Sequence, residues 1–353
     1  PLLTIKENIT VSSANYEIIG KVSDEGSASD KIYIKVDGSF YPVKKGNFQI
    51  SRFSPVDETI KIVAIDQWGN ETKKTINVIV KVENKTVVKK LDPLNPLEIK
   101  AKFKKNKVAL IIGIESYDNT SKALYANRDA KFFYEYAKKA FGIEDSNIKL
   151  LIDNDAGLVN SLSIISKWLP GKIEEDKTDL IIFFAGHGLA SNDGKELYLL
   201  AKDSDADLLA RTALSRTEIF NTIKKLKPKS TTIFLDACYT GFSRENETLL
   251  ASARPVRIVP DNQNDIPDNF TIFSASKLQQ ISSGLEEAKH GIFSYYLMKG
   301  LEGKADGNND KKITNGELLA YMDKNVSRKA SEQGREQNPE LLGDKEKIII
   351  QFK

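Results

Sequence analysis

Apolar and polar positions follow two different rhythms along this chain. From NITVSSANYEIIGKVSD through DKIYIKVDGSFYPVKKGNFQIS to ETIKIVAIDQWGNETKKTINVIVKV, short β-branched and aromatic runs alternate with Gly, Asn, Asp and Ser, the pattern of strands joined by turns. Asp37-Gly38, Gly46-Asn47 and Gly69-Asn70 stand where tight turns join neighbouring strands. About seven strands in roughly 80 residues predict an all-β sandwich over residues 1–82.

The stretch 83–106 carries two prolines in DPLNP and a lysine-rich end, and reads as an exposed linker. Beyond it the rhythm changes. KVALIIGI, IKLLID, TDLIIFFAGHG, TTIFLDAC, FTIFSAS and KIIIQF are apolar runs of strand length, separated by helical patterns such as NRDAKFFYEYAKKAFG and RTEIFNTIKKLK. Strands that alternate with helices predict a mostly parallel sheet covered on both faces, hence an α/β domain over 107–353. Ligands bind such sheets just past the carboxyl ends of the strands.

Composition narrows the function classes. With 40% hydrophobic and 29% charged residues the chain reads as globular, and no apolar run is long enough to span a bilayer. Fifty-two basic against 49 acidic residues leave a net charge of +3, so the surface is mixed and nucleic acid is not an expected partner. The single cysteine excludes an internal disulfide. The opening PLLTIKENITV has neither a starting Met nor a charged and apolar leader, which fits a trimmed or mature form.

Candidate chemistry stands at two strand ends. LIIFFAGHGLA places His187 at its exit, and TTIFLDACYTG places Cys238 at its exit, so both face one edge of the sheet. An imidazole that accepts the thiol proton raises the nucleophilic thiolate fraction. Gly188 and Gly241 allow close approach of a substrate, and the amides of Gly188 and Cys238 are suited to hold an oxyanion. An isolated cysteine is commonly core filler. Here the only cysteine follows one of only two histidines by about 50 residues, a spacing known from caspases, although D-A-C-Y-T-G differs from their Q-A-C-x-G.

Several further stretches carry a family resemblance in order: KVALIIGIESYDN, LYANRDAKFFYEYAKKAFG, FFAGHG, FLDACYTG, FSASKLQQISSG, HGIFSYYLMKGLEGKADGNNDKKIT and QNPELLGD. From about residue 105 onward the chain resembles the caspase-like cysteine peptidases, on the bacterial metacaspase or orthocaspase side. The stretch AIDQWGNETKKTINVIV resembles the closing hairpin of bacterial immunoglobulin-like domains. The resemblance implies a caspase-hemoglobinase fold, with a large-subunit-like part at 107–241, an intersubunit loop at 242–269 and a small-subunit-like part at 270–353. It also implies His187 as general base and acid, Cys238 as nucleophile, and the Gly188 and Cys238 amides as oxyanion donors.

Metacaspases resemble this chain in placing an aspartate two residues before the cysteine, here Asp236, and Asp129 in NRDAKF matches a second acidic position of their pocket for a basic side chain. Two carboxylates around a slot favour Lys or Arg at P1. The competing account of Asp129 is a helix-start residue. Ala185, Tyr239 and Thr240 depart from the metacaspase pattern, and His290 reads as structural. Arg244, Arg254 and Arg257 in the long loop, and Lys102, Lys104 and Lys105 in the linker, offer sites for self-cleavage.

DGNNDKKITNGE places Asp306, Asn308, Asp310, the Lys312 carbonyl, Thr314 and Glu317 at the ligand positions of a calcium loop. Lys311 stands where such loops have glycine, and Thr314 with Glu317 would equally form a helix capping box. Glu196 and Glu245 match a second acidic calcium site only loosely, and Asp203, Asp205 and Asp207 read as a solvated loop. The expectation is a cysteine endopeptidase cutting after Arg or Lys, monomeric and extracytoplasmic, with no required cofactor and possible calcium modulation. A catalytically inactive caspase-fold adaptor, and a surface adhesion or calcium-binding protein, are the alternatives.

Overall fold

Buried and exposed positions alternate through the first strands as the period of two requires. In the computed structural model the chain forms two compact units, Pro1–Lys90 and Leu91–Lys353. The structure describes all residues except 14, 29–30, 37–38, 55, 82–90, 102–105, 192, 240–265, 277–279 and 281. The expected turn at Asp37-Gly38 lies outside the described residues.

The first unit contains β1 (Leu2–Thr4), β2 (Asn8–Val11), β3 (Asn15–Ser23), β4 (Tyr33–Val36), β5 (Ser39–Pro42), β6 (Asn47–Phe53), β7 (Glu58–Ile65) and β8 (Glu71–Val80). They form a three-stranded sheet, β1-β3-β6, and a five-stranded sheet, β2-β8-β7-β4-β5. Ile18, Phe48 and Ile50 from the first sheet and Ile34, Ile60, Ile62 and Ile76 from the second share one core, as in an immunoglobulin-like sandwich. The β7–β8 turn is held by Asp66, whose Oδ1 accepts from the amides of Trp68 and Asn70 at 2.9 and 2.8 Å, while Gly69 supplies the positive φ of 84°.

The second unit is built on β9 (Lys107–Gly113), β10 (Ile148–Ile152), β11 (Asp179–Ala185), β12 (Gly188–Ala190), β13 (Leu197–Leu199), β14 (Leu214–Ser215), β15 (Ser230–Asp236), β16 (Phe270–Ser274), β17 (Gly284–Leu285), β18 (His290–Gly291), β19 (Lys312–Thr314), β20 (Glu340–Leu342) and β21 (Ile348–Gln351). Its helices are α1 (Ala126–Lys139), the short α2 (Leu158–Ser163) and α3 (Leu209–Thr212), α4 (Arg216–Leu226), α5 (Ile292–Lys299) and α6 (Asn315–Glu332). The central sheet has the order β10-β9-β11-β15-β16-β20, parallel except for β20.

Its strands read as continuous apolar runs because both faces are covered. Ala109 and Ile111 of β9, with Ile181 and Phe183 of β11, pack among α1, α5 and α6. Leu110 and Ile112, with Ile182 and Phe184, point the other way, toward Ile219, Phe220 and Ile223 of α4. Phe183 stacks on Phe133 of α1 at 4.3 Å between ring centroids, which ties that helix to the strand leading into His187.

Two expectations change. KIIIQF does form a strand, β21, but it pairs with β19, and ELL of QNPELLGD supplies the sixth strand of the central sheet. Of the linker expected over 83–106, the described residues 91–101 lie on the second unit. Leu91, Leu94 and Ile99 pack on the core of the second unit, the Tyr295 hydroxyl donates to the Asp92 carbonyl at 2.7 Å, and Lys299 donates to the Pro93 carbonyl at 2.9 Å. The Asn95 amide donates to Glu302 at 2.7 Å, and Ala101 bridges to Phe352. The second unit therefore begins at Leu91, because these apolar side chains and main-chain groups find partners on α5 and its extension.

Candidate active site

Parallel pairing in register brings the two strand-end signatures together. Ala185 of β11 is paired with Asp236 of β15, so His187 and Cys238, each two residues further on, leave the sheet at the same level. A Cβ on Gly188 would lie 2.8 Å from the Cys238 carbonyl oxygen and equally close to the Tyr239 ring. Only a glycine admits that approach.

The imidazole of His187 is buried and held by one upstream segment. Its Nε2 lies 2.9 Å from the Ser121 carbonyl, which can only accept, so Nε2 carries a proton. The His187 amide donates to the Tyr117 hydroxyl at 2.7 Å, and the Tyr117 ring lies 4.8 Å from the imidazole. Leu200 donates to the His187 carbonyl at 3.0 Å, which makes Gly188 and Leu199 a non-hydrogen-bonded pair of β12 and β13. The Gly188 amide consequently points away from β13.

Cys238 is 6% exposed, so it is covered. The Ser282 amide donates to its sulfur, and the Ser282 carbonyl stands 3.8 Å from that atom. The Ser282 hydroxyl donates to Asp236 Oδ1 at 2.6 Å, and the Ser294 hydroxyl at the start of α5 donates to Oδ2 at 2.5 Å. Asp236 is fully buried, and each of its oxygens accepts a serine hydroxyl. Next to Ser282, the Ser283 amide donates to Gln337, whose own amide donates to the Ala275 carbonyl.

Asp129, also fully buried in the first turn of α1, faces the β17–β18 hairpin. Its Oδ1 lies 2.7 Å from His290 Nδ1, and the Gly291 amide donates to Oδ2 at 3.0 Å. His290 therefore has a structural partner, as its position ahead of α5 suggests. Asp129 and Asp236 are linked through the hairpin: Gly291 pairs with Gly284, and Ser282 lies two residues before Gly284.

In the 306–317 stretch the oxygens serve the chain itself. Asp306 accepts from the amides of Asp310 and Lys311 at 3.1 and 3.0 Å, and Asp310 accepts from the Lys312 amide at 2.8 Å. Glu317 turns back to the Thr314 amide at 2.9 Å while the Thr314 hydroxyl accepts from the Glu317 amide, which is the capping box of α6. Asn308 accepts from the Asp310 amide at 2.8 Å. Among the described residues no three His, Cys, Asp or Glu side chains stand close enough to hold a metal. Glu196 accepts from Ser215 at 3.1 Å and so joins β14. Gly241, Thr240, Arg244, Glu245, Arg254 and Arg257, with Lys102, Lys104 and Lys105, lie outside the described residues, as does 242–265 of the expected intersubunit loop. Among the described residues no helix is long and apolar enough to cross a membrane.

Tyr117, Ser121, Ser282 and Ser294 enter this site unannounced by strand-end reasoning, although each lies in or beside a stretch that carries the family resemblance. Among solved structures, protein GSU0716 of Geobacter sulfurreducens is 14% identical, covering 68% of this chain and 94% of that one, with a TM-score of 0.47. Fibronectin(III)-like modules of CbhA from Clostridium thermocellum are 15% identical, covering 23% of this chain and 98% of theirs, with a TM-score of 0.20. No curated protein matches the sequence. The sequence profile of the caspase domain matches residues 106–346, well over half of the chain and the whole span from β9 to β20. This chain belongs to the caspase-domain family of cysteine peptidases.

Proposed function

We propose that this protein is a cysteine endopeptidase that cleaves after Arg or Lys through Cys238 and His187. The observation that carries the reading is the level exit of these two residues from paired parallel strands, with the Nε2 proton of His187 committed to a carbonyl. Nδ1 takes the thiol proton as sulfur attacks the scissile carbonyl carbon, and the resulting oxyanion is held by the Gly188 and Cys238 amides. The imidazolium then protonates the leaving amine. Water, deprotonated by the same nitrogen, attacks the thioester, releasing the acid and restoring the thiol.

The preference for a basic P1 side chain is supported by Asp236, a buried carboxylate two residues before the thiol that accepts from the Ser282 and Ser294 hydroxyls. A guanidinium or ammonium entering there would add a positive charge and cationic donors to the carboxylate. Asp129 bears on the same preference through the hairpin that links it to Ser282. Self-cleavage at the arginines of the long loop, or at the lysines of 102–105, follows from the same preference.

Fluorogenic peptides with Arg, Lys or Asp at P1, with and without calcium, test this reading. The intact chain is expected to turn over the Arg and Lys peptides, and Cys238→Ala to lose at least about 10⁴-fold. Cleavage after Asp would overturn the pocket assignment. Absence of turnover by a chain whose Cys238 is uncovered would favour the inactive-adaptor reading, which the burial of the thiol otherwise supports.

A further inference from the structure

Tyr117 touches His187 in two ways that neither the strand-end pattern nor the proposed chemistry assigns. Its hydroxyl accepts the His187 amide proton at 2.7 Å, and its ring lies 4.8 Å from the imidazole at an interplanar angle of 31°. The contact is built into the turn: a Cβ on Gly186 would fall 2.5 Å from the Tyr117 hydroxyl, so glycine there is what lets the phenol reach the amide. Four residues on, Ser121 offers the carbonyl that fixes Nε2. One segment thus sets the main chain, the face and one ring nitrogen of the same histidine.

We infer that Tyr117 is the positioning residue for His187: the hydroxyl anchors its backbone, and the π face favours the imidazolium that forms when sulfur is ionised. This rests on the reading of Cys238 and His187 as the reacting pair. The ring also covers one face of the imidazole.

The sole cysteine makes the test direct, because alkylation by iodoacetamide reads Cys238 alone and needs no peptide substrate. The quantity of interest is the rate at neutral pH divided by the rate at a pH high enough to ionise any thiol. Changes in access to the sulfur cancel in that ratio. His187→Ala is expected to collapse the ratio, and if it does not, the dyad reading fails. With the dyad intact, Tyr117→Phe is expected to lower the ratio about fivefold, the effect of one lost neutral hydrogen bond. Tyr117→Leu, which also removes the ring, is expected to lower it further, toward His187→Ala. A Tyr117→Phe ratio equal to that of the unaltered protein overturns the inference, and this variant keeps the side-chain volume, so it decides alone should Tyr117→Leu fail to fold.

Discussion

Cys238 lies beneath its own chain: the Ser282 main chain rests on the sulfur, and the Ser282 hydroxyl occupies the carboxylate two residues upstream. On the proposed reading a substrate needs both places, so Ser282 would have to leave for chemistry to start. Ser282→Ala removes one hydrogen bond to a carboxylate, worth about 1.5–3 kcal/mol, and is expected to speed alkylation of Cys238 at least about tenfold at every pH. Equal labelling rates would show that the hydroxyl does not hold the cover. Gly188→Ala is expected to act oppositely, by distortion. Its new methyl meets the Cys238 carbonyl, main chain that cannot step aside, so peptidase activity should fall at least about 100-fold and thermal stability should drop too. His187 and Cys238 are legible in the sequence because an apolar strand run ends at each. Tyr117 and Ser282 are not, since their contacts arise only when segments about 70 and 44 residues away fold onto those ends.

At the scale of elements, the β17–β18 hairpin is the piece on which Asp129, His290 and the approach to Ser282 converge. Glu287 in its turn is paired with Lys329 of α6 at 2.8 Å. Burial works to raise the Glu287 pKa, but the Lys329 hydrogen bond and charge outweigh it and hold the carboxyl below the ordinary glutamate range. A depressed carboxyl stabilises the fold above the unfolded-state value of about 4.3, and that contribution fades as pH falls through the lower folded-state value. Glu287→Gln is therefore expected to melt earlier than the unaltered protein at pH 7, with the difference closing under strongly acidic conditions. A melting difference that is the same at both pH values would remove the ion pair from the account. The helices around the hairpin are legible from 3.6-residue periodicity and, for α6, from the T-x-x-E cap. β20 is not legible, because a three-residue antiparallel edge strand has too few positions to show a period.

Across the whole molecule, the boundary between units lies at Lys90 and Leu91, about 16 residues before the first strand of the central sheet. Composition hides this, because the prolines of DPLNP mark extended chain without saying what it lies on. Leu91, Leu94 and Ile99, each half-buried, contribute on the order of 3 kcal/mol together, before the hydrogen bonds to Tyr295, Lys299 and Glu302. A chain beginning at Leu91 is accordingly expected to melt roughly 5–10 °C above one beginning at Lys107. Identical melting temperatures would show that the segment is carried passively.

The same segment sets what a break at Lys102, Lys104 or Lys105 does. Such a nick falls between residues 91–99, clasped by α5 and its extension, and β9 of the central sheet. The severed amino-terminal piece would remain moored by its tail: two bands under denaturing conditions, one particle in native buffer.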